Sequence, residues 1–177
     1  MTRAAGLPRL YPMNRRSQSG FSIIELMTVV IIAAILIMVA IPSFQDFVVN
    51  NQLTTQANTL ITTLQLARSE AVKRNKTVTV EATDGSTSWG NGFRSWVDMN
   101  SNSSMDAGEE LRQENALPAN TLTSTIKTFQ YLPNGFATGF GTSVNFDLCH
   151  GSGKKGRMIT LDNTGHVSIS DTDANCP

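Results

Sequence analysis

The chain predicts an α+β protein: a long N-terminal helix, half transmembrane and half amphipathic, packed on a C-terminal antiparallel β-sheet or sandwich head. Three observations carry this. An apolar run fills residues 26–41, broken only by Thr28. Apolar residues then recur at steps of three and four as far as Ala71. From Thr77 the period drops to two, as TVTVEAT (77–83) shows. Periods of 3.6 and 2 are the marks of a one-sided helix and a half-buried strand.

The 177 residues suit one domain behind an N-terminal segment. Basic and acidic residues balance at 14 each, so net charge points to no nucleic-acid or acidic partner. Their placement is more informative. Arg3, Arg9, Arg15 and Arg16 all precede the first carboxylate, Glu25, and the next is Asp46. A basic start followed by an apolar run is a targeting pattern. Extended back to Ile23, the run approaches the roughly 20 residues that span a bilayer as a helix. The basic flank places that end in the cytoplasm.

An ordinary signal peptide needs a small-x-small site after the run, and Val39-Ala40-Ile41-Pro42-Ser43 is a poor one. A plain anchor leaves Glu25 unexplained, because a carboxylate in a membrane segment costs about 2.5 kcal/mol or more. GFSIIEL (20–26) resembles the class III signal of type IV pilins and type II secretion pseudopilins. The resemblance implies cleavage between Gly20 and Phe21 on the cytoplasmic side by a prepilin peptidase that also methylates the Phe21 nitrogen. It also implies retention of the helix in the inner membrane. Residues 1–20 are then a leader, 21–75 a spine helix with its transmembrane part at 23–41, and 76–177 a periplasmic head. Glu25 becomes the fifth residue of the mature chain. There its carboxylate can pair with the new α-ammonium of a neighbouring subunit, relieving the burial cost of both charges and selecting register. In the unassembled subunit it can instead snorkel to the headgroups.

Pro42 falls inside the helical stretch and predicts a kink. Beyond it Leu53, Ala57, Leu60, Ile61, Leu64, Ala67 and Ala71 form one face, with Gln56, Asn58, Thr62, Gln65, Arg68 and Lys73 on the other. A helix from about 22 to 75 would be roughly 80 Å long. Further strands are expected at 92–98, 110–113, 127–132, 144–148, 157–161 and 166–170, joined by Gly-, Asn-, Ser- and Asp-rich turns.

LARSEAVKRN (66–75), WGNGFRSWVDMNSNSSMDAGEELR (89–112) and GKKGRMITLDNTGHVSI (153–169) are similar to the FimT/FimU and GspH group of minor pilins and minor pseudopilins. Membership implies a low-copy subunit near a filament tip, working with other minor and major pilins through the N-terminal helix. It further implies help in priming a pilus for adhesion, twitching or DNA uptake, or service in type II secretion.

Cys149 and Cys176 are too few for a zinc site. In an exported head they suit a disulfide closing a loop of about 28 residues, worth roughly 3–4 kcal/mol; the other reading is two buried thiols. Asp98, Asn100, Asn102, Ser104, Asp106 and Glu109 occupy the oxygen-ligand steps of a twelve-residue calcium loop. Ser103 stands where the sharp turn wants glycine, and a polar hairpin explains the same residues. DNA-binding FimT proteins use a Gly-Arg-x-Arg strand, where this chain reads Gly165-His166-Val167-Ser168. Lys154, Lys155 and Arg157 remain as weak phosphate contacts, offset by Asp162, Asp171 and Asp173. Neither His150 nor His166 has a nucleophile partner, so no enzyme is expected. Trp89 and Trp96 suit the core better than a sugar or receptor platform.

Overall fold

A computed structural model describes residues 20–151, 156–170 and 176. Among these residues are one long helix and nine strands. Helix α1 (Ile23–Arg74) begins with an acidic residue, Glu25, in its first turn and ends with Lys73 and Arg74 in its last, matching the helix dipole at both ends. Pro42 lies inside it. Two compact units divide the chain, Met1–Ser43 and Phe44–Pro177. In the first, every described residue is exposed, including the apolar run.

The second unit holds the rest of α1 and the head. Strands β1 (Val78–Ala82), β2 (Gly92–Val97), β3 (Glu110–Asn115), β5 (Thr128–Tyr131) and β6 (Ala137–Thr138) make one sheet in the order β3-β2-β1-β5-β6. Strands β4 (Asn120–Ser124), β7 (Ser143–His150), β8 (Gly156–Asp162) and β9 (Val167–Ser170) make the other, in the order β4-β7-β8-β9. Every pairing is antiparallel. The seven strands expected from the sequence are present within one or two residues of the ends anticipated. Two were not expected. β4, reading NTLTS, carries one apolar side chain, Leu122, between exposed threonines. β6 is two residues long and exists through its pairing with β5.

One cluster fills the head. Leu53, Ala57, Leu60, Leu64, Ala67 and Ala71 of α1 join Val78, Val80, Phe93, Val97, Phe129 and Tyr131 of one sheet and Phe146, Leu148, Ile159 and Leu161 of the other. Trp89 lies at its centre, its ring edge-on to Phe146 with centroids 4.9 Å apart. Its indole N–H donates to the Ile126 carbonyl at 2.8 Å. Large aromatics meeting small alanines let the helix sit close to the strands at native packing density.

The helix face differs from the expected one in three places. Thr63, not Ile61, is fully buried, and its hydroxyl is satisfied by the Thr59 carbonyl at 3.0 Å. Gln56 and Arg68 are not on the solvated face. Gln56 accepts from the Asn120 side-chain amide at 2.5 Å. Arg68 donates through Nε to the Gly135 carbonyl (2.9 Å) and through Nη2 to the Thr164 carbonyl (2.8 Å). A helical period marks the border of a face only to within a residue. Long polar side chains at that border bury their stems and use their heads on the neighbouring element.

Arg68 therefore ties α1 to two turns, one between β5 and β6 and one between β8 and β9. Gly165, in the second turn, has φ +79°. A Cβ there would overlap the Gly135 carbonyl oxygen and stand 2.9 Å from Arg68 Nε. Asp162 closes the same turn, accepting from the Thr164 N–H (2.9 Å), the Thr164 hydroxyl (2.6 Å) and the His166 N–H (3.0 Å). A disulfide joins Cys149 on β7 to Cys176, Cα atoms 5.5 Å apart. Such a closure is worth roughly 3–4 kcal/mol.

Arg68→Ala should destabilise the head by about 2–3 kcal/mol, since two carbonyls lose a charged donor. Gly165→Ala should cost at least as much through its φ and its clash. Urea unfolding followed by tryptophan fluorescence reads both, and a cost below about 0.5 kcal/mol for each would contradict the clamp.

Hydrogen bonds from Thr164 above all lower the Asp162 pKa, and those from Asn91 and Ser86 lower that of Asp84. A folded pKa below the unfolded one adds stability that is complete above the unfolded value, near 4, and is lost as pH falls through the folded one. The melting temperature should thus fall as pH drops below about 4, and Asp162→Asn should flatten part of that slope. An unchanged slope in the variant would contradict the cap.

Candidate functional site

The residues singled out at the N-terminus occupy the start of α1. Gly20 and Phe21 precede the helix, and nothing lies within 4 Å of the position a Gly20 Cβ would take. Phe21 is 81% exposed. The helix is hydrogen-bonded from the Ser22 carbonyl, which accepts from the Leu26 N–H at 3.1 Å. Glu25 sits in the first turn, exposed among Ile23, Ile24, Leu26 and Met27. One turn separates its carboxylate from the residue that would carry a new α-ammonium. Apolar side chains from Ile23 to Ile41 are exposed all round, and this is the one described helix long and apolar enough to cross a membrane. A soluble helix of this composition would hide that surface.

The 98–109 segment forms the turn region between β2 and β3. Its carboxylates face inward onto the loop's own backbone. Asp98 accepts from the N–H groups of Asn102 (3.1 Å) and Ser103 (2.9 Å). The buried Glu109 accepts from those of Met99 (2.8 Å) and Asp106 (2.9 Å). The side-chain amides of Asn100 and Asn102 both donate to Asp106 at 2.7 Å. Among the described residues no group of three His, Cys, Asp or Glu side chains gathers closely enough to hold a metal ion. As folded, Asp98, Asn100, Asn102, Asp106 and Glu109 bond the loop's own backbone and one another, and the Ser104 N–H donates to Asn102 Oδ1 at 2.8 Å. Ser101 and Ser103 have φ of 62° and 59°, so the loop needs those side-chain acceptors to hold its backbone.

Of the three cations considered for nucleic acid, Lys154 and Lys155 lie outside the described residues. Arg157, on β8, is half-buried and donates to the Thr54 hydroxyl of α1 at 2.9 Å. Its guanidinium thus helps hold the helix to the head. His150 pairs through Nδ1 with Asn120 at 2.6 Å, and Asn120 with Gln56, a second polar tie between helix and sheet. Arg68, Gln56 and Gly165 are the structurally decisive residues missed in the sequence. Only the exposed-looking arginine amid a helical pattern, and a glycine in a turn, were there to signal them.

Residues 56–165 match the family model described as Type II transport protein GspH, and residues 15–41 match the prokaryotic N-terminal methylation motif. Two fimbrial proteins of Pseudomonas aeruginosa are each 37% identical over 78 residues, which is 44% of this chain and 50% of the relative. The chain thus spans about half the length of the curated relatives it matches. Two crystal structures of the Pseudomonas aeruginosa type IV minor pilin FimU share the fold. One, in space group P21, gives a TM-score of 0.59 at 23% identity over 70% of this chain and 92% of that one. The other, in space group P65, gives 0.56 at 23% identity over 67% and 92%. A family model covering most of the head and a methylation motif covering the start of α1 agree with each other, and the chain belongs to the GspH family of type IV minor pilins and pseudopilins.

Proposed function

We propose that this chain is a minor type IV pilin, made with a leader, cut between Gly20 and Phe21, anchored in the inner membrane by α1, and used to prime pilus assembly with other pilins. The observation that carries the reading is the placement of Gly20, Phe21 and Glu25 at the start of a helix whose apolar residues are exposed on every side. A chain that keeps such a surface needs lipid before assembly and other subunits after it. Moving between the two explains Glu25. In lipid its carboxylate reaches the headgroups; in a filament it pairs with a Phe21 ammonium of a neighbour, and a subunit in the wrong register leaves it unpaired. The structural likeness to a minor pilin supports the pilus over other assemblies.

A second reading rests on the description of the matching family, a type II transport protein. In it the same helix and head serve a pseudopilus. Loss of the gene separates the two. A pilin mutant loses surface filaments and keeps protein secretion, whereas a pseudopilin mutant does the reverse. Adhesion, twitching and DNA uptake follow from the pilus reading as consequences of having a filament. DNA contact by Arg157 itself is the less favoured route, because that side chain is engaged with Thr54.

Gly20→Ala should leave a full-length precursor in the membrane fraction, seen as slower migration on a gel; normal processing would remove the leader assignment. Glu25→Val should be processed normally yet fall at least tenfold in sheared filaments, about the effect of 1.4 kcal/mol per docking step. Wild-type incorporation of that variant would contradict the pairing role.

A further inference from the structure

Two sheets have four edges, and this head closes three of them. The larger sheet ends in β3 and β6, the smaller in β4 and β9. An open edge offers a row of unpaired N–H and C=O groups, and proteins ordinarily blunt it with charge, a bulge, brevity or a covering segment. β3 carries Glu110, Arg112 and Glu114, and its register with β2 slips between Ser95 and Trp96. β6 is two residues long, and its Ala137 N–H donates to the Asn163 carbonyl at 3.0 Å. β4 is covered by the segment before β2. There the Ser124 N–H donates to the Thr87 carbonyl at 3.0 Å, and a Cβ on Gly90 would stand 2.8 Å from the Leu122 nitrogen.

Among the described residues, β9 has none of these devices. It reads Val167-Ser168-Ile169-Ser170, without charge or proline, and its register with β8 is unbroken. The Asp162 N–H donates to the His166 carbonyl at 3.1 Å, so His166 and every second residue after it face β8. The N–H and C=O groups of Val167 and Ile169 therefore point outward, and no described strand stands on that side. The apolar layer ends at the same place. Phe146 on β7 stands opposite Ile159 on β8, and Ile159 opposite Ile169. Phe146 and Ile159 are fully buried, whereas Ile169 is 45% exposed. Residues directly opposite one another share a face of the sheet, so Ile169 lies on the core side with its far flank uncovered. One more strand along β9 would complete both the hydrogen bonds and the apolar row.

We infer that β9 is a strand-addition site, which takes an extended, uncharged segment of a different protein and sets one of its apolar side chains beside Ile169. In sites of this kind the main chain supplies affinity and alternate side chains supply selection. The segment is uncharged because β9 offers no counter-charge, and covering a lone charge is costly. A second copy of this chain is the wrong occupant. Its other three edges are closed, so it could offer only its own β9. Antiparallel self-pairing places a two-fold axis perpendicular to the sheet. Arg157 on β8 reaches Thr54, and Thr164 just beyond β8 receives Arg68, so α1 runs alongside that strand. The two-fold axis would turn one α1 end for end against the other. Two chains anchored in one bilayer by the start of α1 cannot adopt that arrangement. A two-fold axis along the strands fails differently, since facing side chains would then lie on opposite sides of the sheet. The exclusion of a second copy rests on the anchoring proposed above; the open edge does not.

The full chain in detergent, titrated against a short fluorescent peptide of alternating threonine and valine, tests this. Fluorescence anisotropy should saturate with a Kd below about 1 mM. The same peptide N-methylated at two adjacent central residues, which blocks both of its edges, should bind at least about tenfold more weakly. Ile169→Pro removes an outward N–H that β8 does not use, and Ile169→Lys puts a charge on the edge. Each should weaken binding by about tenfold or more while leaving the far-ultraviolet circular dichroism unchanged. No saturation up to about 5 mM, or equal affinity for the methylated peptide or in both variants, would overturn the site. Dimerisation of the chain in sedimentation, abolished by both Ile169 variants, would assign the edge to self-pairing and overturn the choice of a different protein.

Discussion

The head depends on one contact, the seating of a single face of α1 against two sheets at once. Leu53, Leu60 and Leu64 are buried to 2% exposure or less, and Ala57, Ala67 and Ala71 give the room for aromatic side chains opposite. Each leucine removed from water is worth about 1.5–3 kcal/mol, so these three alone are comparable to the whole net stability of an ordinary domain. Polar ties then fix the helix laterally: Arg68 to two turns, Gln56 to Asn120, Arg157 to Thr54. They lie at the border of the apolar face, where a donor can be satisfied without deep burial.

The first unit, by itself, has a different character. The buried helix residues of the head's core lie between Leu53 and Ala71, within the second unit. Residues 23–41 are exposed and uniformly apolar apart from Glu25 and Thr28, and the Thr28 hydroxyl is returned to the Ile24 carbonyl at 2.7 Å. Among the described residues of the segment, Glu25 is the one charged side chain, and it stands exposed among apolar neighbours. The proposed pairing between subunits would give that carboxylate a partner, and it sits within the N-terminal methylation motif of residues 15–41.

Much of this was legible in the sequence, and the parts that were not share a cause. Periodicity exposed α1 and seven strands because each buries one face, and a face leaves a repeat. GFSIIEL was legible because an N-terminal methylation motif has particular residues at particular steps. β4 and β6 were not, since a strand with one apolar residue, or with two residues in all, is made by its partner rather than by its own pattern. The oxygen-rich 98–109 loop shows a spacing shared by two structures, a cation cage and a self-capped hairpin. What separates them is where the carboxylates of Asp98 and Glu109 turn, and that is a tertiary fact. Arg68 read as solvated because its stem lies on the edge of the polar arc; only the fold brings Gly135 and Thr164 to its head. The pairing of Cys149 with Cys176 was left between two readings until the chain brought them 5.5 Å apart at Cα.

We propose that Phe21, freshly exposed and charged, is the working N-terminus of this protein. Intact-mass and fragment mass spectrometry of the chain recovered from the membranes or filaments of its own bacterium measures that directly. The expected species begins at Phe21 with one methyl group on its α-nitrogen and Glu25 unmodified. A chain recovered whole from Met1, or beginning beyond the apolar run near Ser43, would contradict it.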